Sequence, residues 1–215
     1  MIEVIPAILA KDIKELKSQI KKVAHLSNWV HLDVMDGKFV ANLTWNNPEE
    51  IDFGKFNFKT EVHLMVLEPF KEIYRWLETE TSRLIFSFEP LKNEKEKIFP
   101  EIIEKTLKAG KEIGFALNPE TSLKELKPFL PFLDLVQLMA VKPGFAGQPF
   151  QEKVFKKIKD LRSQNKKVLI SVDGGVNDKI APRLIKAGAN ILVSHSFIFE
   201  SPDPQKAIEK LKGLI

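Results

Sequence analysis

Trp29-Val30-His31-Leu32-Asp33-Val34-Met35 reads as a β-strand with two unlike faces. Alternate residues of a strand point the same way, so His31, Asp33 and Met35 project together while Val30, Leu32 and Val34 form an apolar face suited to packing. Val62-His63-Leu64-Met65-Val66 repeats the arrangement, with His63 and Met65 on one side and apolar residues on the other. Two imidazoles and a carboxylate converging from two strands are the beginning of a divalent metal site.

Outward from these stretches, apolar strand-like runs alternate with amphipathic helical ones along the whole chain. Strands are expected near Glu3–Leu9, Trp29–Met35, Phe58–Val66, Arg83–Phe88, Glu112–Leu117, Leu133–Ala140, Lys167–Val172 and Ile191–Ser194. Helices are expected through Lys11–Ala24, Pro69–Leu77, Glu94–Ala109, Leu123–Lys127, Gln151–Gln164, Asp178–Ala187 and Pro204–Leu211, with Gly110, Gly188 and Gly213 as C-terminal caps. The crossover around Asn47–Phe53 carries no convincing helical pattern and reads as loop. Strict alternation of this kind favours a parallel sheet closed into a (β/α)8 TIM barrel. An open doubly wound sheet is the competitor, but no Gly-x-Gly-x-x-Gly follows the first strand, so dinucleotide binding has no support. No linker-like segment divides the chain, and residues 1–215 are expected to form one domain.

The 215 residues, 44% hydrophobic and 29% charged, are ordinary for a soluble globular protein. Cysteine is absent, which rules out disulfides and thiolate ligands or nucleophiles and fits a reducing cytoplasm. No signal peptide is evident at the start, and no apolar run reaches membrane-spanning length. The net charge of +4 is spread through helical segments among glutamates, without the aromatic-basic interleaving of a nucleic-acid surface. A mildly positive protein favours an anionic metabolite, and neither nucleic acid nor membrane is an expected partner.

In such a barrel chemistry sits at the C-terminal ends of the strands, where Ala7, Asp33, His63, Met65, Glu89, Asn118, Met139, Asp173 and Ser196 fall. Asp173, in Ser171-Val172-Asp173-Gly174-Gly175, would face Asp33 across the barrel mouth and complete two histidine and two aspartate ligands. Singly, each of these residues is as readily a turn cap or a satisfied core polar group; their joint placement favours the site. Lys142-Pro143-Gly144-Phe145-Ala146-Gly147-Gln148-Pro149 follows the sixth strand, and its glycines would let backbone N–H groups approach a phosphate. The Gly174-Gly175 turn and Ser194-His195-Ser196 would supply further donors.

These blocks resemble the ribulose-phosphate 3-epimerase family. Pro6-Ala7-Ile8-Leu9, the run His31 to Val40 with Asn42-Leu43-Thr44, Glu61 to Met65, Ala116 to Pro119, Met139 to Phe150, Val172 to Gly175 and Ser196 to Phe199 follow the family's order over nearly the whole chain. The resemblance implies a ribulose-phosphate-binding barrel that inverts C3 of a ketose phosphate, interconverting D-ribulose 5-phosphate and D-xylulose 5-phosphate in the pentose phosphate pathway. By that analogy His31, Asp33, His63 and Asp173 bind one divalent metal ion, zinc, iron or manganese, and Asp33 and Asp173 exchange the C3 proton on opposite faces of an enediolate. Met35, Met65 and Met139 would cover that intermediate, while Gly144, Phe145, Ala146, Gly147, Gly174, Gly175, His195 and Ser196 would bind the phosphate. Family members commonly assemble, so a homo-oligomer is expected.

Three positions depart from the family pattern. Ala7 stands where serine is usual, Ser87 where histidine is frequent, and His195 where glycine is usual; His195 either crowds the phosphate or, if protonated, grips it. Ala146 replaces a frequent glycine in a form that looks like hexulose-phosphate epimerases. The alternatives are therefore 3-epimerisation of a hexulose 6-phosphate such as allulose 6-phosphate, and a non-catalytic sugar-phosphate-binding relative.

Overall fold

The computed structural model describes residues 2–214. Eight parallel strands close into a barrel in chain order: β1 (Glu3–Ile8), β2 (Trp29–Met35), β3 (Lys59–Met65), β4 (Arg83–Ser87), β5 (Glu112–Leu117), β6 (Leu135–Met139), β7 (Leu169–Asp173) and β8 (Ile191–Ser194), the last pairing with β1. The helices are α1 (Ile13–Val23), α2 (Pro69–Leu77), α3 (Lys95–Lys108), α4 (Lys153–Gln164), α5 (Ala181–Ala187), α6 (Ser196–Phe199) and α7 (Pro204–Lys212). Among the described residues, no helix is long and apolar enough to cross a membrane.

Two apolar layers follow from strand alternation. Outward residues such as Val30, Leu32, Val34, Val62 and Leu64 pack beneath the helices in the main core, where α1 contributes Leu16, Ile20 and Val23 from one face. A smaller set, including Ile5, Ala7, Ile85, Ala116, Leu135, Ile191 and Val193, fills part of the barrel interior. The remainder of that interior is polar: His31, Asp33, Glu61, His63, Arg83, Ser87, Gln137, Ser171 and Asp173 are all buried. Buried charge is costly unless paired or hydrogen-bonded, so such an interior calls for a reason beyond packing.

The β2–β3 crossover has two 3-10 turns, Pro48–Glu50 and Phe53–Lys55, in place of an α-helix, in keeping with its sequence pattern. Aromatic packing closes the wall there: the fully buried Trp76 of α2 meets Trp45 edge-on at 6.2 Å and Phe53 at 6.0 Å. Other boundaries shift for local reasons. Asp12 caps α1, its Oδ1 accepting from the N–H groups of Lys14 and Glu15, so that helix starts at Ile13. The expected Leu123–Lys127 helix is one 3-10 turn, Leu123–Glu125, with another at Leu130–Phe132. Pro128 and Pro131 disfavour the helical backbone of the residues before them. Asn165 Oδ1 accepts from Lys167 and Val168 and holds them in a turn, which moves β7 to Leu169–Asp173. Asn177 does the same for Lys179 and Ile180, delaying α5 to Ala181. Gly188 closes α5 with φ +115°, whereas Gly213 stays right-handed at φ −68°.

Candidate active site

Strand register stacks the polar interior in rows. Asp33 and His63 are paired across β2 and β3, Met35 and Met65 lie one row above them, and His31 and Glu61 one row below. On the far wall Met139 of β6 pairs with Asp173 of β7, which pairs with Val193 of β8. The closed sheet thereby brings His31, Asp33, His63 and Asp173 together: each offers a ligand atom within 4.8 Å of every other, and all four are buried. His31 Nε2 lies 3.3 Å and His63 Nδ1 3.4 Å from Asp33 Oδ1. Gln137 Nε2 donates to His63 Nδ1 at 3.1 Å and to Asp173 Oδ2 at 3.3 Å, aiming a positive dipole into the cluster. Two imidazoles and two carboxylates that already draw donors inward suit a borderline divalent ion such as zinc, iron or manganese.

The surroundings of the two carboxyls push their proton affinities in opposite directions. Burial alone would push Asp33 up, but the positive charge of His31 beside it holds it well below the usual carboxylate range. Burial first, and the Asp33 charge second, push Asp173 up to about 7. Burial lowers His31 less than Asp33 and Glu61 raise it, leaving it well above the ordinary imidazole value; burial keeps His63 below. Glu61, though fully buried, is held low by His31 and Arg83. Two carboxyls at one site with proton affinities pushed apart suit acid–base chemistry, one accepting a proton where the other supplies one.

The loop after β2 explains why its block of sequence is so distinctive. Thr44 Oγ1 donates to the Asp33 carbonyl at 2.7 Å and accepts from Met35 N–H at 2.8 Å, pinning the end of the strand that carries two of the ligands. Asp36 Oδ1 accepts from Lys38 and Phe39, and its Oδ2 from Leu67 beyond β3, so one carboxylate ties both strand ends.

A cleft opens above the cluster. Asp33 and Asp173 form its floor, Met35, Met65 and Met139 its side walls, and Gly144, Phe145, Ala146, Gly147, Gly174, Gly175, His195 and Ser196 its rim. Gln148 braces the rim loop, its Nε2 donating to the carbonyls of Phe145, at 2.9 Å, and Lys142. Gly174 adopts φ +101°, and a Cβ there would stand 2.5 Å from Val141, so the turn beneath the cleft has no room for a side chain. His195 Nδ1 donates to the Ala7 carbonyl at 2.8 Å, and its ring lies 5.1 Å from that of Phe199.

Glu89 and Asn118 serve elsewhere. Glu89 Oε1 accepts from Asn118 N–H and Thr121, while Lys157 donates to the Asn118 and Thr121 carbonyls, clasping the ends of β4 and β5. Lys142, beside the rim, is exposed, and so is His25. Glu61 and Gln137 are the interior residues that sequence reasoning passed over. Their signal was a polar residue on the inward face of a strand, two positions before His63 and Met139 respectively.

Fold and cleft together define an α/β-barrel enzyme whose chemistry sits at the carboxyl ends of its strands. The sequence pattern of the "Ribulose-phosphate 3 epimerase family" matches residues 3–199. A relative from Chlamydia pneumoniae, named ribulose-phosphate 3-epimerase, is 38% identical over 207 residues, covering 91% of this chain and 87% of its own. One of the same name from Bacillus subtilis (strain 168) is 36% identical over 221 residues and 99% of both chains. The 3-hexulose-6-phosphate synthase of Salmonella typhimurium superposes with a TM-score of 0.71 at 13% identity, covering 99% of this chain and 98% of that one, which shows the shared fold. The chain belongs to the ribulose-phosphate 3-epimerase family, and with it to the isomerases.

Proposed function

We propose that this protein interconverts D-ribulose 5-phosphate and D-xylulose 5-phosphate by moving the proton on C3 between Asp33 and Asp173. The observation that carries the proposal is the placing of these two buried carboxyls, from opposite walls of the barrel and within 4.8 Å of each other, at the floor of a single cleft. Asp33 removes the C3 proton from one face, leaving the electron pair delocalised over C3, C2 and the C2 oxygen as an enediolate. Asp173 delivers its proton to the opposite face, so the C3–H bond is remade with inverted configuration. The enzyme ends with the two protonation states exchanged, ready for the reverse direction.

His31, Asp33, His63 and Asp173 are the residues that would hold a divalent metal ion. Bound there, the ion supplies Lewis-acid stabilisation of charge developing on the substrate oxygens. Met35, Met65 and Met139 exclude water from the reacting carbon with polarisable thioethers. The rim glycines, with His195 and Ser196, take the phosphate and fix C3 over the floor.

A six-carbon substrate is the second reading, suggested by Ala146 on the rim and by the altered substrate contacts: Ala7 offers no hydroxyl, and its carbonyl is already engaged by His195. Initial rates on ribulose 5-phosphate and allulose 6-phosphate separate the possibilities. Metal-dependent formation of xylulose 5-phosphate with the higher kcat/KM supports the pentulose assignment. A higher kcat/KM on the hexulose transfers the mechanism to that substrate, and no turnover of either leaves a binding protein.

A further inference from the structure

His31 and His63 turn different nitrogens toward the cluster. His63, in the same row as Asp33, presents its near nitrogen Nδ1, and its Nε2 lies 3.2 Å from Ser87 Oγ. His31, one row lower, reaches up with its far nitrogen Nε2. Its Nδ1 points the other way, 2.7 Å from Glu61 Oε1. An ionised carboxylate only accepts hydrogen bonds, so Nδ1 keeps its proton, and Nε2 is the nitrogen that would give up its proton to a metal ion in the cluster. Glu61 has no exposed surface, and its other oxygen is taken by Arg83. Arg83 in turn lies 4.3 Å over the Trp29 ring and donates through Nε to Glu112 at 2.8 Å.

A buried carboxylate whose only task was to neutralise Arg83 would duplicate Glu112, which is partly exposed and needs less desolvation. Its bond to His31 is what distinguishes it. Resting on the assignment of the four residues as a metal site, we propose that Glu61 is the positioning residue of that site: it fixes the tautomer and ring orientation of His31, and Arg83 fixes Glu61. Carboxylates behind metal-binding histidines act in this way, orienting the ring and raising its basicity. The sequence Glu61-Val62-His63 thus serves the centre twice, with His63 as a ligand and Glu61 as the brace for a ligand on the adjacent strand.

The test compares zinc affinity, by competition with a chromophoric chelator at fixed pH, for wild type, Glu61→Gln and Glu112→Gln, alongside thermal unfolding of each protein stripped of metal. Glu61→Gln is expected to weaken zinc binding about 10- to 100-fold, and Glu112→Gln, which loosens Arg83 without touching His31, to leave it within about threefold of wild type. Long-range ¹H–¹⁵N histidine spectra of the zinc-loaded wild type are expected to show His31 protonated on Nδ1 and His63 on Nε2, a measurement that holds even if Glu61→Gln fails to fold. Equal affinities for wild type and Glu61→Gln, equal losses in the two variants, or a His31 proton on Nε2 would each overturn the proposal. Wild type that takes up no zinc overturns the metal assignment itself, and this proposal with it.

Discussion

Nδ1 of His195 donates to the backbone carbonyl of Ala7 across the β8–β1 seam, so two of the positions that depart from the family pattern are in direct contact. With Nδ1 committed, Nε2 is the nitrogen His195 has for a ligand in the cleft. Replacing His195 with glycine is expected to raise KM for the phosphorylated substrate about 2- to 10-fold, one hydrogen bond's worth, with kcat nearly unchanged. Steady-state kinetics decide it: a lower KM in the variant would show that His195 crowds the phosphate.

In the proposed mechanism Asp33 and Asp173 act on opposite faces, so their amide variants should fail differently from a simple loss of binding. Each is expected to lower turnover about 10²- to 10⁴-fold or more. In deuterium oxide, Asp173→Asn should still exchange the C3 hydrogen of one epimer, through Asp33, while losing inversion. Mass spectrometry of recovered substrate checks this; inversion persisting with exchange would remove Asp173 from the proton path.

Stability should depend on pH through Asp173. In the unfolded chain its carboxyl titrates at the ordinary value of 3.8, while burial and Asp33 raise it to about 7 when folded. Between those values the native state keeps a proton that the unfolded state has released, so this residue's contribution to stability falls as pH rises. An interval of roughly three pH units corresponds to about 4 kcal/mol. Metal-stripped wild type should therefore lose stability relative to Asp173→Asn between about pH 4 and pH 7, as urea unfolding at several pH values would reveal. Parallel curves would contradict it.

Metal removal should destabilise the fold as well as silence it. An ion present at about 100 times its dissociation constant adds roughly 2.7 kcal/mol, or about 5–10 °C in Tm for a chain of this size. Calorimetry with and without chelator tests this, and an unchanged Tm would argue against a site formed only in the folded state.

The parts of the molecule most legible in the sequence were those with a repeating physical signal. The alternation on β2 and β3 put His31, Asp33 and His63 on the inward face, and the strand–helix rhythm implied closure, which carried Asp173 to the same mouth. Where one side chain competes with the backbone, the pattern misled: Asn165 and Asn177 hold turns at positions that read as strand and helix. The four-residue α6 was too short to show a period. Glu61, Arg83 and Gln137 went unread because an isolated polar residue in an apolar strand has no partner visible in one dimension. Their partners lie on other strands, brought near only by register.

Thr44 and Asp36 finish the β2–β3 side of the centre early in the chain, whereas Asp173 is the last residue of β7. A nascent chain emerging from the ribosome therefore carries three donors long before the fourth exists, and none of the three gains its full coordination partner set until β7 docks. In the proposed metal site, capture of the ion would therefore come late: all four residues meet only once the sheet has closed on itself, and truncated products would have three of them at most.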